Sequence, residues 1–138
     1  MAIFAGQKVL IAEDEVMIAE HLAHDLRGNG ATVLIALSHA DALRKADEPG
    51  LSIAVIDYRL HNETTDDICA KLNERGVPFV IYTGYDKLKD DSKLGVVVRK
   101  PATAQSILKK LAEMLNLPQE PDSLLPGPSE PVAPDQPS

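Results

Sequence analysis

Five short apolar runs divide the chain, and each ends in a change of polarity. Lys8 to Ala12 reads Lys-Val-Leu-Ile-Ala and stops at Glu13, Asp14 and Glu15; Thr32 to Ala36, Ile53 to Ile56, Phe79 to Tyr82 and Gly95 to Arg99 follow the same scheme. Such runs, rich in branched aliphatic residues and without alternation, predict parallel strands covered on both faces. Between them the spacing becomes helical. Ile18, Ala19, Leu22, Ala23 and Leu26 share one face of a helix over Val16 to Gly28, closed by Gly28-Asn29-Gly30. Ser38 caps a second helix through Ala40, Leu43 and Ala46, closed by Pro49-Gly50, and Thr64 or Thr65 caps a third carrying Ile68, Cys69 and Leu72 before Gly76. Thr103 caps the last, through Ile107, Leu108, Leu111, Met114 and Leu115. Only about ten residues, rich in Asp and Lys, separate the fourth strand from the fifth, so the fourth helix is expected to be short or disordered.

Strand and helix alternate five times, which predicts a (βα)5 α/β fold, a three-layer sandwich. Right-handed crossovers leave few windings for such a chain, and the flavodoxin-like parallel order 2-1-3-4-5 is a common one. The domain is expected to span residues 1–117. From Pro118 onward, seven prolines and four acids with no Lys or Arg predict a disordered, acidic Pro-rich tail over 118–138. Its Pro-x-x-Pro spacings, such as Pro128 with Pro131, arise readily by chance in so proline-rich a stretch, and Leu124-Leu125 is its bulky apolar pair.

Composition narrows the function classes. The 138 residues carry a formal charge of −7, which opposes the phosphate backbone, so no nucleic-acid partner is expected. No run approaches the roughly 18 apolar residues of a membrane span, and Met1 to Gly6 lacks the pattern of a signal peptide, so no membrane partner and a cytoplasmic location are expected. The single cysteine, Cys69, sits in a helical pattern and reads as a small core residue. His21 and His24 carry no ligand role.

In the 2-1-3-4-5 order the first and third strands are neighbours, which brings Glu13, Asp14 and Asp57 to one pocket at the carboxyl edge of the sheet, where open α/β sheets bind ligands. Three like charges there call for a cation. Oxygen-only donors select a hard ion, and Mg²⁺ takes one or two carboxylates while keeping water and phosphate as its other ligands. Thr83 at the end of the fourth strand offers a hydroxyl and Lys100 at the end of the fifth a point charge. A carboxylate attacks phosphorus once its charge is neutralised, and Asp57 is the acid best placed to do so. Each residue has a plainer reading as a turn former, helix first-turn acid or surface charge; the coincidence of all of them at strand ends argues for a phosphoryl site.

Leu10-Ile11-Ala12-Glu13-Asp14-Glu15, Val55-Ile56-Asp57-Tyr58-Arg59-Leu60, Thr83-Gly84 and Lys100-Pro101 resemble the acidic pair, phosphoacceptor, hydroxyl and lysine motifs of bacterial response-regulator receiver domains, over about residues 7 to 117. The resemblance implies that Asp57 accepts a phosphoryl group from a sensor histidine kinase in a two-component phosphorelay. It implies Mg²⁺ held by Asp14, Asp57 and the carbonyl of Arg59, with Glu13 acting through water, and phosphoryl oxygens held by Thr83 and Lys100. It also implies a cis peptide before Pro101. A receiver is a phosphoacceptor rather than an enzyme, with weak self-phosphorylation and self-dephosphorylation at most.

Two departures stand out. The position three residues before the lysine, usually a switch aromatic, is Val97, and the helix after Thr83 is short. Both features are similar to the FATGUY subgroup, although Tyr85 stands one place earlier than that motif's tyrosine. Tyr85 is the candidate substitute for the switch, and the subgroup points to kinases of the HWE or HisKA2 type. With only the tail following, the chain is expected to be a stand-alone receiver acting on a downstream protein or as a phosphate sink. A phosphorylation-independent binding scaffold is the alternative. An aspartate-nucleophile phosphatase of the haloacid dehalogenase kind ranks lower, because the position of its second acid is Arg59. His61 and Asn62 are expected to be solvated loop residues within reach of the site.

Overall fold

The computed structural model describes residues 2–83, 95–100 and 102–117. These form β1 (Lys8–Ala12), α1 (Val16–Gly28), β2 (Thr32–Ala36), α2 (His39–Lys45), β3 (Ile53–Asp57), β4 (Arg59–Leu60), β5 (Glu63–Thr64), α3 (Asp66–Arg75), β6 (Phe79–Thr83), β7 (Gly95–Arg99) and α4 (Ala104–Met114). The long strands make one parallel sheet in the order β2-β1-β3-β6-β7, while β4 and β5 pair as a separate antiparallel ribbon. With the ribbon set aside, this is the 2-1-3-4-5 winding of a flavodoxin-like fold. The segments expected to hold the fourth helix and the Pro-rich tail lie outside the described residues, as do Tyr85 and Pro101.

Successive strand residues point to opposite faces, and the core divides accordingly. Val9, Ile11, Val55 and Val80 pack with Leu22, Leu26, Leu108 and Leu111 under α1 and α4. Leu10, Ala54, Ile56 and Ile81 pack with Ala42, Ile68 and Leu72 under α2 and α3. Cover on both faces of β1 and β3 explains why these strands read as unbroken apolar runs.

Phe4 is fully buried in the first layer, and its N–H donates to the Asn29 carbonyl at 2.8 Å. The segment before β1 therefore belongs to the core, which no periodicity announced. Gly30 makes room for it: at φ +98°, a Cβ there would stand 2.9 Å from the Ala2 Cβ and 3.0 Å from the Ala5 nitrogen.

The helix caps are partly as expected. The Ser38 hydroxyl accepts from the Asp41 N–H and the Thr103 hydroxyl from the Ser106 N–H, and Gly76 closes α3 in the left-handed conformation. The face of α2 differs from the expected one. Ala42 and Ala46 are buried, Leu43 only partly, and Ala40 is exposed, because the short helix meets the sheet along one i, i+4 pair of small residues. Thr65 holds the N-cap position of α3 without a side-chain capping bond; its hydroxyl is engaged elsewhere. Arg59 to Thr64, which contains the expected loop residues His61 and Asn62, is a hairpin whose two turn residues, His61 at φ 50° and Asn62 at φ 70°, have the positive angles of a type I′ turn.

Candidate phosphoryl-transfer site

The parallel register sets β1, β3, β6 and β7 so that their carboxyl ends share one edge: Ala12 is opposite Ile56, Asp57 opposite Tyr82, and Thr83 opposite Arg99. Glu13 and Asp14 leave the end of β1, Asp57 ends β3, and Lys100 follows β7. The structure brings the expected acids together. One carboxylate oxygen from each of Glu13, Asp14 and Asp57 lies within 4.8 Å of the other two. Thr83 ends β6 at the same edge, and its side chain lies outside what is described.

Burial makes these charges expensive. Glu13 is 3% exposed and Asp57 7%. Glu13 Oε2 accepts the Glu15 N–H at 3.0 Å, but Oε1 is buried and has no hydrogen-bond partner among the described residues. Burial foremost, only partly offset by the Glu15 amide and reinforced by the nearby Asp57 charge, pushes the Glu13 carboxyl up to about 7. Lys100 Nζ stands 3.2 Å from Asp57 Oδ2. Burial alone would weaken the hold of Lys100 on its proton; the attraction and hydrogen bond of Asp57, with Glu13 behind it, win and raise its pKa.

The other Asp57 oxygen, Oδ1, accepts the Arg59 N–H at 3.4 Å. Asp14 is held from the hairpin: its Oδ2 accepts the His61 N–H at 2.8 Å, with His61 Nδ1 3.6 Å away, while the same ring's Nε2 lies 3.1 Å from the Leu37 carbonyl. The exposed His61 is thus tied to the site and is not a free loop residue, a role that needed the hairpin to be visible. Tyr82 was also missed. Its ring lies under the Lys100 ammonium, 4.7 Å from the centroid, in cation–π contact. The only signal in the sequence was its place immediately before Thr83. His21 and His24 are exposed on α1.

The acidic trio fits a hard divalent cation. Its donors are all oxygens, its charges are crowded, and Glu13 Oε1 is a buried acceptor with nothing of the described protein to satisfy it. Beside the acids, a cavity of about 370 Å³ opens between α1 and the start of α4, lined by Met17, Ile18, Ala104 and Ile107 as well as Glu13 and Asp57.

No family model matches the chain. Among known proteins, the sensory transduction protein RegX3 of Mycobacterium tuberculosis is 31% identical over 121 residues, covering 83% of this chain and 53% of that protein. The chain therefore spans about half the length of the curated relatives it first matches. Among solved structures, a CheY-like receiver domain protein from Methanospirillum hungatei superposes with a TM-score of 0.71 at 22% identity, covering 80% of this chain and 94% of that one. A CheY-like receiver domain from Methylobacillus flagellatus does so at 0.66 and 25% identity, covering 78% and 98%. Among the described residues no helix is long and apolar enough to cross a membrane. In fold the chain matches the receiver domains of response regulators, and in sequence it is similar to response regulators.

Proposed function

We propose that the chain is the phosphoacceptor of a two-component relay, with Asp57 as the acceptor and a sensor histidine kinase as the donor. The observation that carries this reading is the setting of Asp57: buried at the end of β3, one oxygen on Lys100, with two further carboxylates within 4.8 Å. In the transfer, an Asp57 oxygen forms a bond to phosphorus while the bond from phosphorus to the donor imidazole nitrogen breaks, its electron pair leaving with the nitrogen. Lys100 offsets the charge that Asp57 and the incoming group bring together. Asp14, Asp57 and the Arg59 carbonyl would hold Mg²⁺, with Glu13 acting through water. The ion supplies charge neutralisation for the phosphoryl oxygens. Thr83 and Lys100 would take those oxygens after transfer. The chain would then act through a downstream protein or by draining phosphoryl groups, as a kinase substrate and not a turnover catalyst. A kinase of the HWE or HisKA2 type remains the proposed donor class, and Tyr85 the proposed switch residue.

A second reading, partner binding without phosphorylation, draws support from Val97, which is 40% exposed where a receiver usually carries its moving aromatic. One experiment separates the two. Intact-mass spectra after incubation with acetyl phosphate and Mg²⁺ are expected to show a gain of one phosphoryl group. That gain should vanish in Asp57→Asn and with chelator. A gain that persists in Asp57→Asn would reassign the acceptor, and partner capture unaffected by Asp57→Asn would favour the scaffold.

A further inference from the structure

We infer that Thr65, outside the acid, hydroxyl and lysine set, is a positioning residue for phosphoryl transfer at Asp57, because its hydroxyl fixes the two peptides that aim the acceptor carboxylate. The inference rests on the reading of Asp57 as acceptor. Thr65 is fully buried, eight residues along the chain from Asp57, and the β4–β5 hairpin folds it back beneath the end of β3. Its Oγ1 lies 3.1 Å from the Asp57 carbonyl and 3.0 Å from the Tyr58 carbonyl, and its own N–H also donates to the Tyr58 carbonyl at 3.0 Å.

A trans peptide is planar, with its C=O and N–H pointing opposite ways. The Asp57 carbonyl shares its peptide with the Tyr58 N–H, which donates to the Tyr82 carbonyl of β6 at 3.2 Å. The Tyr58 carbonyl shares its peptide with the Arg59 N–H, the group that approaches Asp57 Oδ1. Drawing both carbonyls toward Thr65 therefore aims one N–H at β6 and the other at the acceptor carboxylate. Lys100 holds Oδ2 from the opposite side. The carboxylate is thereby oriented by a side chain that never touches it.

A threonine at a helix N-cap ordinarily accepts from the first turn of its helix. Here no such bond forms. The hydroxyl is turned instead to the two carbonyls at the end of β3.

The test compares wild type, Thr65→Val, which keeps the shape and removes the hydroxyl, Thr65→Ser, which restores it, and Asp57→Asn. Mg²⁺ affinity is read from tyrosine fluorescence, the initial phosphorylation rate by acetyl phosphate at saturating Mg²⁺ from intact mass, and folding from thermal melts. Thr65→Val, assayed well below its melting temperature, is expected to lose about tenfold in the rate and to bind Mg²⁺ several-fold more weakly, as removal of an orienting outer-shell partner does. Thr65→Ser should recover most of both. A folded Thr65→Val with wild-type rate and Mg²⁺ affinity would overturn the inference, since a purely structural role would move only the melt. Asp57→Asn reports on the underlying reading alone: if it gains phosphate as wild type does, that reading fails whatever Thr65→Val shows.

Discussion

The Lys100 ammonium stands 3.2 Å from Asp57 Oδ2, so the residue after β7 neutralises the residue that ends β3 across the intervening strand β6. Tyr82, on β6 between them, lies with its ring under the lysine ammonium. One cation thus ties three strand ends together at the place where negative charge would accumulate.

Replacing Lys100 by Met should slow phosphorylation of Asp57 by acetyl phosphate by about a hundredfold, the scale on which a preorganised group facing developing charge acts. Lys100→Arg should recover part of the loss. The check is the initial rate of mass gain for each variant; a wild-type rate in Lys100→Met would remove the lysine from the site.

Glu13 gives the metal-free protein a pH dependence of definite sign. The folded chain keeps the Glu13 proton up to about 7, whereas the unfolded chain releases it near the ordinary 4.5. Between these values the folded state binds more protons, so this group's contribution to stability is present below 4.5 and is lost as pH rises to about 7. Glu13→Gln, which stays neutral, should gain on wild type by about 1 to 3 kcal/mol between pH 5 and pH 8 in chelator. Urea denaturation of both proteins at both pH values measures the difference, and parallel curves would contradict the expectation.

The hairpin turn should be sensitive to backbone chemistry. Asn62 at φ 70° lies where a β-branched residue is strained. Asn62→Val should cost about 1 to 2 kcal/mol in folding free energy, while Asn62→Gly should be neutral or slightly stabilising. Because the His61 N–H on the same turn holds Asp14, Asn62→Val should also weaken Mg²⁺ binding. Chemical denaturation and a Mg²⁺ titration of the two variants test both expectations.

Cys69 should be inert while the chain is folded. It is buried on α3, and burial first, with the charge of Asp66 second, pushes its thiol up to about 12. Iodoacetamide at pH 8 should label the native protein only as fast as it opens, and labelling should become rapid in denaturant. Fast native labelling, followed by mass, would show that this part of α3 is not packed as described.

Much of the fold was legible because its signals are local. The bounds of β1, α1, β2 and β7 follow from apolar runs and glycine stops, and the buried face of α3 falls on Ile68, Cys69 and Leu72 as the spacing requires. The acids and the lysine were legible for a related reason: a parallel sheet sends every strand in one direction, so residues that end strands must meet at one edge. What was misread depended on contacts distant in sequence. Ala42 displaced Ala40 on α2 because burial there is decided by where a short helix meets the sheet, and short helices carry too few turns to show it.

Residue order alone settles the alternation of strand and helix, the winding to be expected of it, and the presence of Glu13, Asp14, Asp57 and Lys100 at strand ends. How those groups are held depends on the folded chain. Phe4 enters the core through a contact with the α1–β2 turn, His61 reaches Asp14 because two residues adopt positive φ, and Thr65 turns from the helix it precedes to the strand it follows. The difference lies in the range of the interactions. Hydrophobic periodicity is written residue by residue along the chain, whereas the partner of a hydroxyl or an amide is chosen only when folding closes the loop that brings it within 3 Å.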